Sequence, residues 1–336
     1  MFFYFAPMES ITMYPLRNIH KEMFAGSVSK YYSPFVTAAK SKHFKNREKN
    51  DILPIHNTPF FEDTNTSLVV QIMSGNSETF LWAAKEIAQL GYKEINLNLG
   101  CPASTVVNRH KGAGLLADTD YLDSMLSDIF EAKEKTQELK DIEISLKTRL
   151  GVTYESEAEK LMEIYAKYPI SELTVHARVK DDFYKNTPRL DAFCNSVKRY
   201  KECGGKAPIC YNGNIFSQKD YENTMDKLES SGIASEVSSM MLGRGILENP
   251  ALARELTGGE KLSASELKEY LTRLYSGYEE YIPEDRNVIF KLLEHWAFIH
   301  THFENCDKYL KSIRKARSKG EYLAAVRNMF ASCEFK

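Results

Sequence analysis

The feature that most constrains this chain is an alternation of two periodicities. Short runs rich in β-branched and aromatic residues, at 2–6, 30–34, 68–73, 94–98, 143–148, 172–176, 208–212 and 237–242, are separated by longer stretches whose apolar residues recur three and four apart. One such stretch, 76–90, aligns Phe80, Ala83, Ala84, Ile87 and Leu90, and a second, 121–135, aligns Leu122, Met125, Leu126 and Ile129. Gly91 follows the first, where a helix C-cap favours a left-handed residue. Eight strand-then-helix units in series predict an α/β fold, specifically a (β/α)8 TIM barrel.

After Pro250 the strand pattern stops. Helical patterns at 265–281, 286–303, 308–318 and 322–330 predict a small C-terminal helical bundle. The 336 residues therefore divide into a barrel domain, 1–255, and a helical domain, 256–336. The charged stretch 40–50 is expected to be a surface loop. Hydrophobic residues at 43% and charged residues at 27% are those of a globular chain. The apolar opening, residues 1–5, is too short for a signal peptide or a membrane span, so a buried strand and no membrane are expected. The six cysteines form no CxxC pair, which argues against a zinc site or disulfides and predicts a reducing, cytoplasmic setting with no metal. Lys plus Arg total 44 against 46 for Asp plus Glu, so any nucleic-acid surface must be a local patch.

The chemically distinctive residues fall at the C-terminal ends of the predicted strands: Pro7 and Met8, Gln71, Asn98 with Cys101, Lys147 with Arg149, His176, Asn212 with Gly213, and Gly243 with Arg244. In a barrel those ends share one face, where the βα loops converge. Asn212-Gly213-Asn214 and Gly243-Arg244-Gly245 end the last two strands, where a phosphate is commonly held by main-chain N–H groups; Gly-Arg-Gly alone is equally an ordinary turn. Lys147 and Arg149 share a strand face and point two cations at the mouth, toward an anionic ligand or toward barrel carboxylates. His176 taken singly is as readily a core histidine. Cys101, in Gly100-Cys101-Pro102, is placed to act as a general acid, and the following loop, with Arg109, His110, Lys111, Gly112 and Gly114, has the charge and glycines of a lid.

In this order the residues resemble the tRNA-dihydrouridine synthase family. The matching stretches are Ala6-Pro7-Met8-Glu9-Ser10-Ile11-Thr12, Asn96-Leu97-Asn98-Leu99-Gly100-Cys101-Pro102, Lys147-Thr148-Arg149-Leu150-Gly151, Thr174-Val175-His176-Ala177-Arg178, Asn212-Gly213-Asn214-Ile215 and Leu242-Gly243-Arg244-Gly245. The resemblance covers the barrel and implies an FMN-dependent enzyme, reduced by NADPH or NADH, that saturates the C5–C6 bond of uridines in tRNA. It implies FMN contacts from Pro7, Met8, Glu9, Gln71, Lys147, His176, Asn212, Gly213, Asn214, Gly243 and Arg244. It also implies Cys101 as proton donor to uracil C5, with Asn98, Arg149, Arg178, Lys180, Arg109 and Lys111 around the flipped uridine and its phosphates. Ser10 stands where the family usually has glycine, and Asn214 where aspartate is common.

For the bound tRNA, the basic run Lys308, Lys311, Arg314, Lys315, Arg317 and Lys319 is the strongest candidate surface, although a solvated helix face produces the same pattern. Lys40, Lys42, Lys45, Arg47 and Lys49 extend that candidate footprint. A monomer is expected. The competing readings are a flavin barrel acting on a free pyrimidine, such as a dihydroorotate dehydrogenase, and a tRNA-binding flavoprotein without catalysis.

Overall fold

A computed structural model describes residues 1–63 and 65–336. Its strands are β1 (Phe2–Phe5), β2 (Lys30–Tyr32), β3 (Val36–Thr37), β4 (Ser67–Met73), β5 (Glu94–Asn98), β6 (Glu143–Gly151), β7 (Leu173–Val179), β8 (Ile209–Asn212) and β9 (Val237–Leu242). The pairings between these strands are parallel, and β1 pairs with both β2 and β9 while β2 pairs with β4, so eight staves close into a barrel. The short β3 is not a ninth stave. It continues the line of β2 along the far end of β4, pairing Val36 with Ile72. The break between them falls at Pro34, which has no N–H to give the ladder, and Ser33 Oγ accepts from the Gln71 amide at 3.2 Å in that gap. The expected barrel is thus observed, with β6 and β7 each ending three residues beyond the run the sequence pattern suggests.

Helices cover the outside, as alternation requires. Helix Ser77–Gln89 is capped by Asn76, whose side chain accepts from the Thr79 amide, and Gly91 adopts the expected left-handed φ of 95° just beyond it. The charged stretch 40–50 differs from expectation, because its second half forms helix Asn46–Ile52. Two of its acids are used inward. Glu48 accepts from the amide and hydroxyl of Thr37, and Asp51 pairs at 2.8 Å with Arg17, which is fully buried and also donates to the Thr12 carbonyl at 2.6 Å.

The barrel interior is polarised. At the N-terminal ends of the strands, Glu172 accepts from Tyr4 at 2.7 Å and Tyr32 at 3.0 Å, while Lys30 lies 2.8 Å from Glu94 and 3.5 Å from Glu172. The buried carboxylates Glu94 and Glu172 are therefore paired with Lys30 at the end opposite the mouth, with Glu94 Oε1 left without a hydrogen-bond partner.

The tail forms helices Ala264–Glu279, Asp285–Ile299, Asp307–Lys315 and Lys319–Ser332 around buried Trp296, Tyr275, Tyr278 and Tyr322. Trp296 Nε1 donates to the Tyr322 hydroxyl at 3.0 Å. Helix Ala264–Glu279 packs on Tyr14–Met23, and Asp285–Ile299 packs on Arg244–Glu248, so the tail rests beside the loops at the barrel mouth.

Candidate active site

A cavity of about 560 Å³ opens at the C-terminal ends of the strands. Pro7, Met8 and Glu9 after β1, Gln71 on β4, Asn98 and Cys101 at the end of β5, Lys147 and Arg149 on β6, His176 and Arg178 on β7, Asn212, Gly213 and Asn214 after β8, and Gly243 and Arg244 after β9 all line it. The size is that of a cofactor or substrate pocket.

Its floor is a relay of amides. Asn96 donates to Ser145 Oγ at 3.0 Å, Gln71 Nε2 donates to Asn96 Oδ1 at 2.8 Å, and Asn98 Nδ2 donates to Gln71 Oε1 at 2.7 Å. The Asn98 side-chain oxygen then accepts from the amides of Gly100 at 3.0 Å and Cys101 at 2.9 Å. Asn98 thereby folds the Gly-Cys-Pro turn onto the end of its own strand, as asparagine does in an Asx-turn. The Cys101 thiol is half-buried at the cavity wall. Burial pushes its pKa up, and the Glu9 carboxylate adds to that, against the opposing pull of the Ala103 amide, Arg149 and Lys147. The group is therefore a protonated thiol at neutral pH.

Around the opposite wall, four cations surround one imidazole. Lys147 donates to Asn212 Oδ1 at 2.9 Å; desolvation and then Arg149 lower its pKa to about 7. Arg149 donates to the carbonyls of Gly100 at 2.6 Å and of Val179 and Phe183 at 3.2 Å. Arg178 and Arg244 converge on one acceptor, Asn214 Oδ1, at 3.1 and 2.9 Å. None of these four side chains makes a salt bridge with any described residue within 4.0 Å, so pairing with barrel carboxylates, the alternative left open by the sequence, does not occur among the described residues. Arg149 and Arg178 are buried and Lys147 and Arg244 half-buried, and cations so placed without a counter-ion suit an anionic ligand.

His176 is held neutral, its pKa pushed well below the ordinary value by burial and then by Arg149, Lys147, Arg178 and Arg244. Arg178 Nη1 lies 3.0 Å from His176 Nε2. A guanidinium can only donate, so Nε2 accepts and the proton of the neutral ring sits on Nδ1. Asn212 is fixed by donation to the Met241 carbonyl at 2.8 Å, and Gly213 has no room for a side chain, since a Cβ there would fall 2.0 Å from Tyr211 Oη.

Some expected residues lie outside this cavity. Arg109 is exposed and Lys111 half-buried on the loop beyond Cys101, where Lys111 donates to the Ala38 carbonyl at 3.2 Å. That loop also corrects the expectation of glycine hinges: segment Gly112–Ala117 is packed down, with the Ala113 amide on the Cys101 carbonyl at 3.0 Å. A Cβ on Gly114 would lie 2.7 Å from the Val107 carbonyl oxygen, so this glycine serves close packing rather than motion. Lys180 pairs with Asp181 at 3.0 Å. Lys311, Arg314 and Lys315 are exposed on helix Asp307–Lys315, well along the tail, and like Lys308 and Arg317 they make no salt bridge among the described residues, whereas Lys319 pairs with Glu279 at 2.5 Å.

Sequence reasoning missed several lining residues: Ile11, Phe35, Phe183, Tyr184 and Phe298. Tyr184 sits 5.7 Å from the Arg149 guanidinium and 5.5 Å from that of Arg244, between the two cations, and Phe183 takes a φ of 49° beside it. Phe298 comes from the tail helix Asp285–Ile299. Nothing in the local pattern distinguishes it from the buried face of that helix.

A family model described as dihydrouridine synthase matches residues 4–333. The chain belongs to that family. The match runs through the barrel and on through the tail, beyond the stretch that carried the sequence resemblance. A Rickettsia prowazekii (strain Madrid E) protein named "Probable tRNA-dihydrouridine synthase" is 28% identical over 284 residues, covering 82% of this chain and 78% of its own. A Bacillus subtilis (strain 168) protein named "Probable tRNA-dihydrouridine synthase 2" is 25% identical over 285 residues, covering 84% and 80%. Among solved structures, a Toxoplasma gondii ME49 chain provisionally described as a deoxyribose-phosphate aldolase superposes with a TM-score of 0.50 at 10% identity, over 76% of this chain and 92% of that one, and shares the fold alone. In this dihydrouridine synthase the cavity opens where the loops follow the strands, the face that carries the active site in TIM barrels generally.

Proposed function

We propose that the protein is an FMN-dependent tRNA-dihydrouridine synthase, reducing the C5–C6 bond of uridines with electrons from NADPH or NADH. The observation that carries this reading is the meeting, in one cavity, of the Cys101 thiol with Lys147 and three arginines that have no carboxylate partner among the described residues. A flavin mononucleotide suits that charge, with a phosphate for Arg244 and the main-chain amides after β8 and β9, and an electron-rich ring edge for Lys147. Pro7, Met8, Glu9, Gln71, His176, Asn212, Gly213, Asn214 and Gly243 would complete its contacts. When bound and reduced, the flavin supplies the hydride that adds to C6 of the uracil.

The chain's own residues do the rest. Cys101 delivers its thiol proton to C5 as the electron pair of the C5–C6 bond moves there, and Asn98 holds the turn that aims the sulfur. Arg149 and Arg178, which line the cavity, would hold the flipped base and adjacent phosphates, since the base must leave the RNA fold to enter it. Arg109, Lys111 and Lys180 form a cationic rim. Residues 256–336 act as the RNA-docking domain, through Lys311, Arg314 and Lys315.

The test is a comparison of purified wild type and Cys101→Ala, each with FMN, NADPH and tRNA lacking dihydrouridine. Both are expected to bind flavin, and only the wild type to form dihydrouridine, read by nucleoside mass spectrometry. Equal product from the variant would remove the thiol from the reaction. A wild-type protein that neither carries nor takes up FMN would remove the flavin as well.

A further inference from the structure

Ser10 is the tip of the loop between β1 and helix Tyr14–Met23, and its φ of 62° lies in the left-handed region, which a residue with a Cβ occupies only under constraint. The flanks of that loop are held from within. The Met8 carbonyl accepts from the amides of Ile11 and Thr12 at 3.1 Å, the Met8 amide donates to Thr12 Oγ1 at 2.9 Å, and Arg17 holds the Thr12 carbonyl. The tip is held from outside, by the tail. Lys291 Nζ, on helix Asp285–Ile299, donates to the Ser10 carbonyl; Glu294, 2.6 Å from that ammonium, accepts from Ser10 Oγ at 3.4 Å. The Lys291 side chain is 10% exposed, so this is a seated contact and not a surface pair. On the same helix, Phe298 reaches the cavity that Pro7, Met8 and Glu9 also line.

We propose that Lys291, oriented by Glu294, is a positioning residue for the cofactor cavity: it holds Ser10 in its left-handed turn and thereby fixes where Pro7, Met8 and Glu9 stand. The inference rests on the reading of that cavity as a flavin site. It makes the tail part of the cavity's framework, through the Lys291 clamp and the Phe298 wall. A glycine would hold the same φ unaided, whereas serine needs the tail to do so.

That difference supplies the experiment. Wild type, Lys291→Met, Lys291→Arg and the double variant Ser10→Gly with Lys291→Met are titrated with FMN by quenching of flavin fluorescence. Amide exchange of residues 7–12 is followed in the flavin-free proteins by mass spectrometry, and melting temperatures are recorded alongside. Lys291→Met is expected to bind FMN about tenfold more weakly and to exchange faster at 7–12, with Lys291→Arg within about threefold of wild type. The double variant is expected to recover most of the affinity and protection, because glycine keeps the turn without the clamp. Flavin affinity and exchange unchanged in Lys291→Met, or a double variant as impaired as the single one, would overturn the proposal; a lowered melting temperature alone would mark a merely structural contact. A wild type that binds no FMN overturns the flavin reading instead, and the exchange data then decide the clamp independently.

Discussion

Lys147 and Cys101 line the same cavity, and burial acts on them in opposite senses. Loss of solvent penalises the charged form of each, so the lysine titrates at about 7 while the thiol is pushed up. An unfolded chain holds the lysine proton to the ordinary value of 10.5. Between about 7 and 10.5 the unfolded chain therefore binds more protons than the folded one, and the stability of the flavin-free protein rises with pH across that window. Below pH 7 the full penalty is present. Lys147→Met removes it, so we expect this variant to melt several degrees higher than wild type at roughly pH 6, with the difference shrinking toward roughly pH 10, while FMN affinity falls by about tenfold or more. An unchanged or lower melting temperature at the acid end would mean that the cation is neutralised inside the fold. Lys147 and Arg149 were legible in the sequence because strand alternation puts them on one face, Cys101 and Arg244 because they follow strand ends, and Arg178 only through the family resemblance. Tyr184 and Phe298 were not, since an aromatic in a loop or on a helix carries no mark of the cavity it enters until the chain is folded.

At the scale of elements, β5 and the turn after it hold the thiol; Arg149 and the Ala113 amide take the carbonyls of that turn, and Asn98 takes its amides. Asn98 accepts from two main-chain amides through one oxygen and reaches Gln71 through its nitrogen. Asn98→Ala leaves those amides without an acceptor in a half-buried turn, a cost of about 1–3 kcal/mol. We expect the rate of uridine reduction in a single turnover to fall far more than FMN affinity does, because the flavin contacts are spread over other strands. Equal losses in both would place Asn98 in the cofactor's hold rather than the cysteine's. All eight staves could be read from the chain, since each is a short β-rich run bounded by helical periodicity. Helix Asn46–Ile52 was hidden for a converse reason: its sequence is polar because Glu48 and Asp51 point at inward partners, which a hydrophobic pattern cannot register.

Over the whole molecule, charge is sorted by place rather than by sum. The net charge is −2, yet the buried carboxylates Glu94 and Glu172 are paired with Lys30 at the end of the barrel opposite the mouth. Cations without a carboxylate partner among the described residues crowd the open end, and a second such set stands on the tail helix Asp307–Lys315. The two sets differ in exposure: the tail cations face solvent, so any hold they have on a polyanion is screened by salt and carried by counterion release. Lys311→Glu with Arg314→Glu is therefore expected to weaken tRNA binding most at low salt, and to make the dependence of log affinity on log salt shallower by roughly one unit for each phosphate that the helix no longer neutralises. FMN content should stay at the wild-type level, since neither residue lines the cavity. Filter-binding titrations across a salt series measure the affinity and its salt slope together. Unchanged affinity at the lowest salt would show that this helix is a solvated face and leave the barrel rim to hold the RNA alone.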